Sequence, residues 1–130
     1  MKQMHLVAFV VVLALIEYAI LGLMVGQARQ KYKVPAPATT GDPTFERYFR
    51  VHQNTMEQLV VFVPAMFIFA TYIHMMGAAA LGLVFVIARA TYARGYISDP
   101  EKRAGGAIAS FLVNAILLVG SLIGIVARAV

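Results

Sequence analysis

"FERYFRVHQNTMEQLVVFVPAMFIFA", residues 45–70, opens with two arginines, a glutamate, a histidine and an asparagine and ends as membrane-type hydrophobic sequence. Neither proline nor glycine interrupts the change. A helix turns 100° per residue, so Glu46, Arg50, Asn54 and Glu57 fall within about 80° of one helix circumference, while His52 points elsewhere. The stretch therefore reads as a helix that carries a charged ladder straight into a bilayer. Pro64, further along, is expected to bend that helix and to leave the Val60 carbonyl without its helical partner.

Outward from this stretch the chain divides into four apolar windows, each close to the roughly 20 residues that a span needs. They run from about Met4 to Gln27, Thr55 to Ile73, Met75 to Tyr92 and Ala104 to Ala127. The first is too long for a signal peptide, and no A-x-A-type cleavage site follows it. "KVPAPATTGDPT", residues 33–44, reads as a polar loop, and "HMMGAAA", residues 74–80, as a tight uncharged turn. In "GYISDPEKR", residues 95–103, Ser98 or Asp99 is placed to cap a helix whose first residue is Pro100.

The totals agree. Of 130 residues, 61% are apolar and 13% charged, with a mean hydropathy of +0.78. A soluble domain is nearer half apolar and a quarter charged. The chain is expected to be one membrane domain, residues 1–130. With no cysteine, it offers no disulfide, thiolate metal site or cysteine nucleophile. The net charge of +5 on so little polar surface suits lipid headgroups or an anionic ligand and argues against nucleic acid. Nine of the eleven basic residues flank the first and third loops, which assigns that face to the cytoplasm and both termini to the other side.

The ladder admits two readings. In one, Glu46 pairs with Arg50 and Glu57 with Arg89, and the charges only hold helices together. In the other they form a polar pocket for a small zwitterionic or anionic ligand, with Arg50 on a carboxylate, Glu57 on an ammonium and Asn54 on an amide. Arg89, Tyr92 and Tyr96 at i, i+3 and i+7 form a second stripe near the same face. The tyrosines could equally be membrane-interface anchors. Arg103, at the start of the fourth helix, could hold an oxyanion or a thiolate, or a lipid headgroup.

Other positions are less decisive. Glu17 is an intramembrane carboxylate, functional or simply protonated or paired. Asn114, Ser110 and Ser121 are placed for interhelical hydrogen bonds. Gly22 with Gly26, and Gly120 with Gly124, form GxxxG patterns that suit contact between subunits or packing within the bundle. His5 and His74 lack partners at metal-ligand spacing and read as surface or interface histidines.

Several motifs carry a resemblance: "AR" at 28–29, "VPAPATTGDPTFERYFRVHQNTME" at 34–57, "GAAALGLVFVIARATYARGY" at 77–96, and Arg103. On these the chain resembles the membrane-associated proteins in eicosanoid and glutathione metabolism, the MAPEG family. The resemblance implies an all-α, four-helix transmembrane bundle assembled as a homotrimer, with glutathione between neighbouring subunits near the cytosolic side. It implies glutathione contacts for Arg29, Arg50, His52, Asn54, Glu57, Tyr92 and Tyr96, and a thiolate-stabilising role for Arg103. Glutathione would bring the thiol that the chain lacks, and a hydrophobic electrophile would reach it from the lipid. Gln30 and Gln58 stand where leukotriene-C synthases of the family have an arginine and a tyrosine, which argues against that specialised activity. The expected function is a membrane glutathione transferase, with glutathione-dependent peroxidase activity left open. Two alternatives remain: a small four-span proton-coupled multidrug transporter using Glu17, and a non-catalytic lipid-binding family member. The compact chain points to a bacterial inner membrane in preference to the endoplasmic reticulum.

Overall fold

A computed structural model describes residues 2–130 of the chain. Four long helices follow one another: α1 (Lys2–Tyr32), α2 (Pro43–Tyr72), α3 (Met75–Ser98) and α4 (Ala104–Ala129), with a short 3-10 turn at Pro100–Arg103 before α4. All four helical segments are long and apolar enough to cross a membrane. The chain is therefore an integral, multi-pass membrane protein. At 31 and 30 residues, α1 and α2 are about 45 Å long, well beyond the roughly 30 Å hydrocarbon layer. Their excess length lies toward the charged ends, so the ladder of α2 is helical from Pro43 onward. Pro64 sits inside this one unbroken helix.

The core is apolar and draws on every helix: Val7, Val10 and Ala14 from α1, Phe62, Met66 and Phe69 from α2, Ala78 and Phe85 from α3, Val113 and Leu117 from α4. Phe62 and Phe85 stack across α2 and α3 with ring centroids 3.9 Å apart. Between helices in lipid, such packing replaces the hydrophobic effect as the cohesive force. Large apolar side chains such as Leu23, Val60, Ile87, Phe111 and Leu122 face outward, as a lipid-facing surface requires.

The helix ends are set by local chemistry. Asp42 caps α2, its Oδ1 accepting from Thr44 N and Phe45 N at 2.9 Å each, and Pro43 takes the first position, where its missing N–H is harmless. Asp99 caps the 3-10 turn by accepting from Glu101 N at 3.1 Å, so of Ser98 and Asp99 it is the second that caps. His74 is more than a surface histidine: its Nδ1 accepts from Gly77 N at 2.8 Å and caps α3. The turn between α2 and α3 is correspondingly short, and Met75–Ala80 are already helical.

Most of the GxxxG glycines pack inside the bundle. A Cβ at Gly120 would lie 2.6 Å from the Phe69 ring, one at Gly124 2.5 Å from Ile73, and one at Gly22 3.1 Å from His52, whereas Gly26 meets nothing within 4 Å. Asn114 donates from α4 to Gln58 on α2, at 3.0 Å to Oε1 and 3.3 Å to the carbonyl. Ser121 Oγ is buried without a hydrogen-bond partner, so it does not bridge helices as its position suggested.

Candidate functional site

Arg50, Gln53, Asn54, Glu57, Tyr92, Tyr96 and Arg103 line one cavity of about 270 Å³. Each element supplies its part for a readable reason. The i, i+4, i+7 spacing brings Arg50, Asn54 and Glu57 to one side of α2. The i, i+4 spacing puts Tyr92 and Tyr96 together on the last turns of α3, ring centroids 5.7 Å apart. The 3-10 turn delivers Arg103, whose Nη1 donates to the Pro100 carbonyl at 2.6 Å and whose guanidinium lies 5.9 Å from the Tyr96 ring. Gly95 lets this turn seat on α3, since a Cβ there would lie 2.7 Å from the Lys102 carbonyl oxygen. Gln53 is the member that sequence reasoning missed. It stands three residues after Arg50, at the edge of the same stripe, and that spacing was the available signal.

Neither of the two ion pairs considered above forms. Glu46 Oε2 accepts from Gly41 N at 3.2 Å instead of meeting Arg50. Arg89 turns to neutral partners instead of Glu57: Asn54 Oδ1 at 2.7 Å, Thr55 Oγ1 at 2.9 Å and Ser110 Oγ at 3.4 Å. Its guanidinium also lies 4.3 Å from the Tyr92 ring. Two cations, one carboxylate, two carboxamides and two phenols thus converge on the cavity. Such a set suits a ligand that carries both negative and positive charge together with amide groups.

Two predicted residues lie apart from this cavity within one chain. Arg29 Nη1 donates to the carbonyls of Ala38 at 2.6 Å and Val34 at 3.4 Å, and its guanidinium sits 4.8 Å from the Phe45 ring. It secures the first loop against the start of α2. His52 lies about 160° around α2 from Asn54 and stacks on Tyr18 of α1, centroids 4.3 Å apart. Both residues belong to the α1–α2 side of the molecule. Glu17 is also outside the cavity. It lines a separate apolar groove between α1 and α3 of about 550 Å³, and its Oε1 is buried with no hydrogen-bond partner.

Comparison with known proteins places this geometry in context. The model of the MAPEG family matches residues 7–123. An uncharacterized protein of Synechocystis sp. is 45% identical over 118 residues, which cover 91% of this chain and 86% of that protein. Microsomal glutathione S-transferase 2 of Homo sapiens is 38% identical over 120 residues, 92% of this chain and 82% of that one. Leukotriene C4 synthase of Bos taurus is 31% identical over 126 residues, 97% of this chain and 84% of that one. A four-helix membrane bundle whose sequence matches the family model over nearly its whole length is a member of that family: the chain belongs to the MAPEG family.

Proposed function

We propose that the protein is a membrane-bound glutathione transferase that joins glutathione to lipophilic electrophiles. The observation that carries this reading is the cavity of Arg50, Asn54, Glu57, Tyr92, Tyr96 and Arg103 in a chain related to a microsomal glutathione S-transferase. Glutathione has two carboxylates, one ammonium, two amides and a thiol. In this reading Arg50 takes a carboxylate, Glu57 the ammonium and Asn54 an amide or carboxylate oxygen. When bound, glutathione supplies the sulfur nucleophile, which bonds to an electrophilic carbon as the leaving group departs. Arg103 would stand beside the thiol, where a guanidinium favours the thiolate, the nucleophilic form. Tyr92 and Tyr96, which line the same cavity, would donate to the tripeptide.

In this reading the chain works as a homotrimer, and the α1–α2 side of a neighbour would bring its own Arg29 and His52 toward a ligand held in the cavity of about 270 Å³. By the same thiolate chemistry, two glutathiones would reduce a lipid hydroperoxide to its alcohol and water and leave as their disulfide. Membership of the MAPEG family and the convergent cavity favour this reading over a transporter built on Glu17.

Ultraviolet difference spectroscopy of glutathione on the purified protein in detergent tests it. A thiolate band near neutral pH that disappears in Arg103→Ala is the expected result. A band that survives keeps the transferase and removes Arg103 from its role. Absence of both a band and glutathione binding in the wild-type protein would sink the proposal.

A further inference from the structure

Arg89 is the largest fully buried side chain among the described residues, 1% exposed. Its hydrogen bonds go to the neutral groups of Asn54, Thr55 and Ser110, and its Nε has no hydrogen-bond partner. This is a poor device for stability alone. A buried donor left unmade is destabilising, and apolar residues of similar volume often replace buried ionic groups with no loss. The placement of Arg89 is more telling than its burial. It touches two cavity residues from behind, donating to Asn54 at 2.7 Å and lying 4.3 Å from the Tyr92 ring.

The contact with Asn54 has a chemical consequence. A guanidinium has five donors and no acceptor. The atom of the Asn54 amide that faces it must therefore be the oxygen. The amide NH2 is left as the end that the cavity sees. We propose that Arg89 is a positioning residue: it locks the Asn54 side chain with its donor turned into the cavity, so that the site requires a ligand with an acceptor oxygen, a peptide carbonyl or a carboxylate, at that point. Without Arg89 the amide is free to flip, and donor and acceptor become interchangeable there. Ser110 serves the same device from α4. Its Oγ accepts from Arg89 at 3.4 Å while donating to the Gly106 carbonyl at 2.8 Å.

Arg89→Met, which keeps the bulk and removes the fork, tests this in two independent ways. The first rests on the proposed function: glutathione KM, Kd and kcat are measured for wild type, Arg89→Met and Arg89→Lys. Misplacing the Asn54 donor is expected to raise KM and Kd for glutathione about threefold to tenfold, the range of one lost hydrogen bond. The kcat at saturating glutathione and the KM for the electrophile should change far less. Arg89→Lys, charged but unable to fork between three partners, should recover only part of the affinity. The second readout needs no glutathione: the side-chain amide signal of Asn54 in the 15N-labelled protein, identified by its absence in Asn54→Asp. That signal should move in Arg89→Met.

Unchanged glutathione affinity in a folded Arg89→Met protein, or an unmoved Asn54 signal, overturns the positioning role while leaving the transferase reading intact. Failure of the wild-type protein to bind glutathione overturns the transferase reading instead, and the Asn54 signal alone then decides the role of Arg89. If Arg89→Met does not elute as a single folded species, Arg89→Lys carries both comparisons.

Discussion

Glu57 and Asn54 sit three residues apart on α2 and face the same cavity, yet they are held in opposite ways. Asn54 is fixed from behind by Arg89 at 2.7 Å, whereas Glu57, the carboxylate that the described residues bring to the cavity, is available to a ligand cation. Glu57→Gln is therefore expected to lower glutathione affinity tenfold or more, in line with the loss of a charged hydrogen bond. The thermal midpoint of the bundle should remain within a few degrees, and calorimetric titration beside thermal unfolding in detergent checks both. Much of this was readable from residue spacing alone, since a 100° helical step brings Arg50, Asn54 and Glu57 together without any tertiary information. The partners of Arg89 were not readable. Sequence offers Glu57 as the obvious mate by charge, but the α4 backbone comes close enough to supply Ser110, and α2 supplies Asn54 and Thr55. His74 was opaque for a related reason: cap geometry depends on a backbone turn that periodicity does not reveal.

At the scale of elements, the seam between α3 and α4 is set by one glycine. A Cβ at Gly106 would lie 2.5 Å from Tyr92 N and 2.7 Å from the Ala88 carbonyl oxygen, so α4 rests directly on α3 backbone. Its neighbour Gly105 meets nothing within 4 Å. The two invite a paired test. Gly106→Ala must push the helices apart and should destabilise the bundle by about 1–3 kcal/mol, the usual effect of overpacking. Because the obstacle lies at Tyr92, it should also weaken glutathione binding. Gly105→Ala should be neutral, or stabilising by about 0.5–1 kcal/mol through helix propensity. Unfolding in detergent, read for both variants side by side, separates them, and equal losses would show that the seam is not where the structure puts it. The four helices themselves were legible as apolar windows. Their true ends were not, because α1, α2 and α3 run on past the hydrophobic stretch that marks each span. The 3-10 turn before α4 left no pattern beyond Asp99 and Pro100.

For the whole molecule, the basic residues around the first and third loops predict which side faces the cytosol. The chain has no cysteine, so single reporters carry no background. Ala38→Cys should react with a membrane-impermeant maleimide only when the cytosolic face is exposed, and Ala129→Cys only from the opposite face; the reverse pattern would invert the assignment. The same preparations, weighed by native mass spectrometry, should give three copies of the 14.1 kDa chain if the proposed trimer is correct. The length of α2 then has a consequence for how the protein would have to be assayed. A helix that rises out of the hydrocarbon while carrying the cavity on its emerging turns would put the two proposed reactants in different phases. The tripeptide would be met at its aqueous concentration, but the lipophile at its mole fraction in the surrounding bilayer or micelle. Adding inert detergent at constant total substrate should then slow the reaction by surface dilution, with no inhibitor present and no change in the protein.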